Sequence, residues 1–144
     1  MKYLDRVILL LSIAGLLFAG YLSTYKLFTS SCALNEPCPY FLGLPACYFG
    51  FVMYLALALL SGALVFKKLS KQRALNLIIF VSALGILFAG YFTLGELPVF
   101  FEKGFGAYVL GLPTCALGLI FYVLIFCLSS YKRIKTNAAS EVSD

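Results

Sequence analysis

Apolar residues run in four long blocks, and charged residues punctuate them. Nineteen uncharged residues separate Arg6 from Lys26, 30 separate Glu36 from Lys67, 22 separate Arg73 from Glu96, and 28 separate Lys103 from Lys132. A helix crossing a bilayer needs about 20 apolar residues. The blocks therefore predict four spanning helices, near 6–27, 45–66, 74–95 and 112–131. The two longer blocks hold surplus residues before Pro45 and Pro113. Proline suits the first helical position, where its missing N–H costs nothing, so helices 2 and 4 are expected to begin there. The expected fold is all-α: an integral membrane four-helix bundle over residues 1–131. A polar cytoplasmic tail, 132–144, is expected to be disordered. Residues 1–25 share a basic start and an apolar run with signal peptides. The run exceeds the roughly 7–15 residues of a signal-peptide core, so the segment is expected to stay as the first span.

The pattern also repeats. Ser12–Tyr21 reads SIAGLLFAGY and Ser82–Tyr91 reads SALGILFAGY, an offset of 70. Leu42–Gly50 reads LGLPACYFG and Leu110–Gly118 reads LGLPTCALG, an offset of 68 that also relates Tyr54 to Tyr122. The bundle is thus expected to comprise two parallel helix–loop–helix repeats, about 6–66 and 74–131, around an axis along the membrane normal. Small residues recur every fourth position, as Gly15, Ala19, Ser23 and as Gly85, Ala89, Thr93. Such stripes let helix backbones approach closely in lipid. The stretch 96–111 is apolar enough to lie in the interface as a loop or short amphipathic helix.

Composition narrows the class. Of 144 residues, 62% are hydrophobic and 12% charged, against about 25% charged in a soluble domain. Mean hydropathy is +0.99. This excludes a soluble cytosolic enzyme, a disordered chain and a nucleic-acid binder. The net charge of +5 reflects topology instead. Nine of the 11 basic residues fall at the N-terminus, in the middle loop or at the C-terminus. Basic residues mark cytoplasmic segments, so both termini are expected inside and loops 1 and 3 outside. There is no His, which excludes a His-based metal site, a His general base and a Ser-His-Asp triad. A transporter would need ionisable residues within its spans, and these have none except at the edges.

The five cysteines are the chemical resource. Cys32 and Cys38 lie in outer loop 1, and Cys47 and Cys115 at the outer starts of helices 2 and 4. An even set of cysteines in an oxidising compartment points to disulfides. Four cysteines allow three connectivities, of which Cys32–Cys38 and Cys47–Cys115 fit loop proximity and repeat symmetry best. With the prolines at the first helical position, Cys47 and Cys115 take the third, where the helix dipole favours a thiolate. Gly50 and Gly118 follow one turn on and are expected to let helices 2 and 4 approach closely. Cys127 lies about 18 Å deeper than Cys115 and is expected to be a small buried apolar residue. Two readings of the residues stay open: a redox-active dithiol system, or inert disulfides stapling a small bundle.

The cytoplasmic-ended four helices, the C-x5-C pair Cys32/Cys38, and Gly43-Leu-Pro45 with Gly50 and Tyr54 opening helix 2 carry a resemblance. Over most of residues 1–131 the chain resembles the vitamin K epoxide reductase family, and more loosely the DsbB-type bacterial disulfide oxidases. The resemblance implies a membrane thiol–disulfide oxidoreductase, in a prokaryotic plasma membrane. Electrons would pass from a secreted thioredoxin-like partner, through Cys32 and Cys38, to a membrane pair at the top of helix 4 and on to a quinone. The quinone would be of ubiquinone, menaquinone or vitamin K type. Cys115 takes the membrane-pair position. The family carries C-x-x-C there, whereas this chain reads Cys115-Ala-Leu-Gly118, so Cys47 must supply the partner thiol. Tyr54 and Tyr122 are the candidate quinone-binding residues, and no metal is expected. The alternative is a non-catalytic small membrane protein with structural disulfides.

Overall fold

A computed structural model of the chain describes residues 2–30, 40–104, 106 and 114–141. Four helices dominate it: α1 (Lys2–Thr29), α2 (Ala46–Val65), α3 (Lys71–Lys103) and α4 (Thr114–Glu141). Each is long and apolar enough to cross a membrane. The all-α class and the four-span membrane bundle are those the charge punctuation predicts. α1 packs most extensively on α2 and α3 on α4, while α2–α3 and α1–α4 contacts close the ring. α1 and α3, and α2 and α4, therefore stand on diagonals.

Each helix buries one narrow stripe. In α1 it is Ile8, Ser12, Gly15 and Ala19, and in α3 it includes Ile78, Ser82, Gly85 and Ala89. In α2 it includes Tyr54, Leu57, Ser61 and Leu64, and in α4 Tyr122, Ile125, Ser129 and Lys132. The alternating spacing of three and four keeps one seam facing the neighbours. Small residues on α1 and α3 leave hollows that large residues on α2 and α4 fill. The remaining helix faces carry exposed Leu, Phe, Ile and Val, among them Leu17, Leu59, Leu87 and Val123, as a lipid-facing surface requires. Among the described residues, three of the four buried serines are neutralised within their own helices. Ser12, Ser61 and Ser82 donate to the carbonyls of Ile8, Leu57 and Ile78 at 2.8, 2.6 and 2.7 Å, whereas the equally buried Ser129 hydroxyl of α4 makes no hydrogen bond.

α1 and α3 extend three to four residues beyond expectation at their amino ends, and three further boundaries differ. Pro45 is the N-cap of α2, not its first helical residue. A short hairpin explains this: β1 (Tyr40–Phe41) pairs antiparallel with β2 (Leu44–Pro45). Its turn residues Leu42 and Gly43 have φ of 51° and 83°, the positive pair that a two-residue type I′ turn demands. The strand holds Pro45 extended, so the helix begins one residue later. α3 does not end at 95 but runs through Pro98 to Lys103. It stops where Gly104 takes φ 68° and its N–H bonds the Phe100 carbonyl at 2.8 Å. α4 does not end at 131 but continues to Glu141. The tail expected to be disordered is thus helical that far. It contains no Gly or Pro up to Glu141, and a Gln72–Asn137 side-chain hydrogen bond of 3.3 Å ties it to α3.

Candidate functional site

The hairpin end of the bundle gathers the sequence-predicted residues. Cys47 and Cys115 are the second residues of α2 and of the described part of α4, one place nearer the helix start than expected for Cys47. Both are half-buried, and no disulfide joins them or Cys127. The expected Cys47–Cys115 bridge is not formed in this structure. The Ser23 hydroxyl donates to the Cys47 carbonyl at 3.2 Å, fixing the first turn of α2 against α1. Cys32 and Cys38 lie outside the described residues, as does Pro113. Cys127 is exposed on α4, facing outward where burial was expected, because the stripe Tyr122–Ile125–Ser129 sets the inward face.

Tyr54 and Tyr122 are the centre of the bundle. Each is only 2% exposed. Their rings stack at 4.3 Å between centroids and 12° between planes. The Tyr54 hydroxyl donates to the Gly118 carbonyl at 2.7 Å, and the Tyr122 hydroxyl to the Gly50 carbonyl at 3.4 Å. A carbonyl has two lone pairs, so each can accept the phenol beside its own helical bond. Gly15 and Gly85 lie flat on the rings: a Cβ at Gly15 would overlap Tyr54, and one at Gly85 would overlap Tyr122. Each ring is thus covered by its twin on one side and by a helix backbone on the other. The pair joins α2 to α4 across the diagonal. The expected close backbone approach of these helices at Gly50 and Gly118 is replaced by this stack, and a Cβ at Gly50 would meet nothing within 4 Å. With faces and hydroxyls occupied by protein groups, both tyrosines serve as packing pillars and offer no open face to a quinone.

Two features escaped the sequence reading. Phe41 of the hairpin, Phe49 of α2, and Phe88 and Phe92 of α3 form one cluster, edge-to-face except for the tilted Phe49–Phe88 pair, with centroid separations of 5.0 to 6.3 Å. It clamps the hairpin onto the bundle two residues after Cys47. At the opposite end, Lys132 of α4 is fully buried and forms an ion pair with Asp5 of α1. The repeat offsets hold the signal for that pair: Asp5 and Lys132 occupy the positions of Leu75 and Leu64, both buried. Among the described residues, no group of three or more His, Cys, Asp and Glu side chains could hold a metal ion. No known protein family, curated protein or solved structure matches the chain.

Proposed function

We propose that the chain is a membrane thiol–disulfide oxidoreductase that passes electrons from a thioredoxin-like partner to a quinone. One observation carries the reading. The reciprocal bonds Tyr54–Gly118 and Tyr122–Gly50 bring the hairpin ends of α2 and α4 within reach of one tyrosine side chain. Cys47 and Cys115 sit one helical turn, about 4.5 Å, beyond those glycines. Two half-buried thiols at matching positions on α2 and α4 support the dithiol reading.

In this reading a partner dithiol attacks a Cys32–Cys38 disulfide, and the partner leaves as its own disulfide. The reduced loop pair then exchanges with a Cys47–Cys115 disulfide. The resulting thiols return two electrons and two protons to a quinone, which becomes the quinol, and their disulfide reforms. The tyrosine faces are filled, so the quinone would meet the thiols from the lipid side of the hairpin end. The thiols would face the compartment outside the cytoplasm, where disulfides persist.

The test uses purified full-length chain with a reduced thioredoxin-like protein and ubiquinone or menaquinone. Wild type should oxidise the partner and reduce the quinone in equal amounts. Cys115→Ser and Cys47→Ser should lose quinone reduction, and Cys127→Ser should keep it. Equal activity with Cys115 replaced would remove the central residue. No activity with any quinone would favour the non-catalytic reading, in which the cysteines only stabilise the bundle.

A further inference from the structure

At the end of the bundle remote from the cysteines, a cavity of about 650 Å³ opens between the start of α1 and the α2–α3 turn. Lys2, Arg6, Lys67 and Lys71 line it. The only acidic group in its wall is Asp5, and Asp5 is already engaged by the buried Lys132. Four cations therefore face one cavity with their charge uncompensated by the wall.

The backbone adds to that field. α1 and α3 both begin here, and the amino end of a helix carries partial positive charge and unpaired N–H groups. Ser70 N-caps α3 without a side-chain hydrogen bond, leaving the first-turn N–H groups unoccupied by a side-chain cap. The end of α2 is built to present a cation as well. Lys68 N–H bonds the Ala63 carbonyl at 2.9 Å and Lys67 N–H the Leu64 carbonyl at 3.3 Å, a helix ending whose left-handed residue is usually glycine. Here that residue is Lys67, at φ 55°. A side chain that strains the backbone where glycine would not is a mark of use. The apolar part of the lining is Leu64, Val65 and Leu69, from the same end of α2 and turn that carry Lys67.

We infer that this cavity binds a phosphate group, and that the apolar wall fits it to the phosphate of an anionic lipid head group. Lys67, Arg6 and Lys71 hold the phosphate oxygens, and Leu64, Val65 and Leu69 receive the first carbons behind them. Inorganic phosphate presents the same anion without those carbons. Other basic residues at this end, Arg133 and Lys135, are exposed on α4 and do not line the cavity.

The experiment titrates the purified full chain, in neutral detergent, with phosphatidylglycerol, phosphatidylcholine or inorganic phosphate, and reads bound states by native mass spectrometry. Wild type should bind phosphatidylglycerol about tenfold or more tighter than phosphatidylcholine. The double variant Arg6→Gln/Lys67→Gly should lose about tenfold or more of that affinity. Its melting temperature should stay near that of wild type, because glycine relieves the left-handed position. Arg133→Gln/Lys135→Gln removes the same charge at the same end and should bind as wild type does. Competition by inorganic phosphate, weakened by the same cavity variant, would support the site with the free anion as occupant. Equal losses in the two double variants, or no preference between the two lipids, would overturn the proposal.

Discussion

Single atoms set the centre of this bundle. Hydrogen at Gly15 and Gly85 is what lets Tyr54 and Tyr122 lie flat between helices. The two phenols do equivalent jobs at unequal lengths, 2.7 Å for Tyr54 and 3.4 Å for Tyr122. A bond near 2.7 Å is strong for a hydroxyl donor, and one at 3.4 Å is close to broken. Tyr54→Phe should therefore cost about 1 kcal/mol of stability, and Tyr122→Phe distinctly less. Reversible unfolding of both variants in micelles measures the difference. Equal costs would mean that the two bonds are the same in solution. The sequence marks these tyrosines as equivalent. Their mutual stacking is invisible in it, because α2 and α4 meet across a diagonal that no local pattern encodes.

Among the helices, the Asp5–Lys132 ion pair is where the two halves part company. α2 and α3 place Leu64 and Leu75 at the matching positions. An apolar pair needs no partner, whereas a buried charge stripped of its counter-ion costs about 3–5 kcal/mol. Asp5→Leu and Lys132→Leu alone should each destabilise the bundle by that order. The double variant Asp5→Leu/Lys132→Leu copies the other half and should recover most of the loss. A double-mutant cycle by thermal unfolding checks it, and additive losses would show that the pair does not act as a unit. Lys132 lies at the edge of an apolar block, so from sequence it reads as one more topological cation. Its burial follows from α4 continuing as a helix to Glu141 and turning that position inward.

The whole molecule is organised as two hairpins of helices, α1 with α2 and α3 with α4, since these pairs share the most extensive contacts. Transmembrane helices can insert first and associate afterwards. Residues 1–68 and 69–144, expressed together as separate chains, should assemble and co-purify. Failure would show that the α2–α3 turn is needed for more than connection. The charge asymmetry makes a second prediction for the intact chain. In a variant lacking native cysteines, a cysteine at Glu102 should react with an impermeant thiol reagent on intact cells, and one at Lys71 should not. The reverse labelling would invert the orientation.

Four spans, their approximate limits, and the matching of Gly15 with Gly85 and Tyr54 with Tyr122 are written in the chain. They depend on apolar length, charge spacing and repeated residues, all of which are local. The ends of α3 and α4 were less legible. Pro98 and the polar residues after Lys132 look like breaks, but the helix runs on through both, and after Lys132 no Gly or Pro interrupts it as far as Glu141. The hairpin at 40–45 was missed because its turn pairs Leu42 with Gly43, and leucine rarely accepts positive φ. Which helices are neighbours, that tyrosines and not glycines fill the space between α2 and α4, that Lys132 finds Asp5, and that four cations converge on one cavity were decided by tertiary structure alone. Each joins residues far apart in the chain, and their contact is fixed only when all four helices pack together.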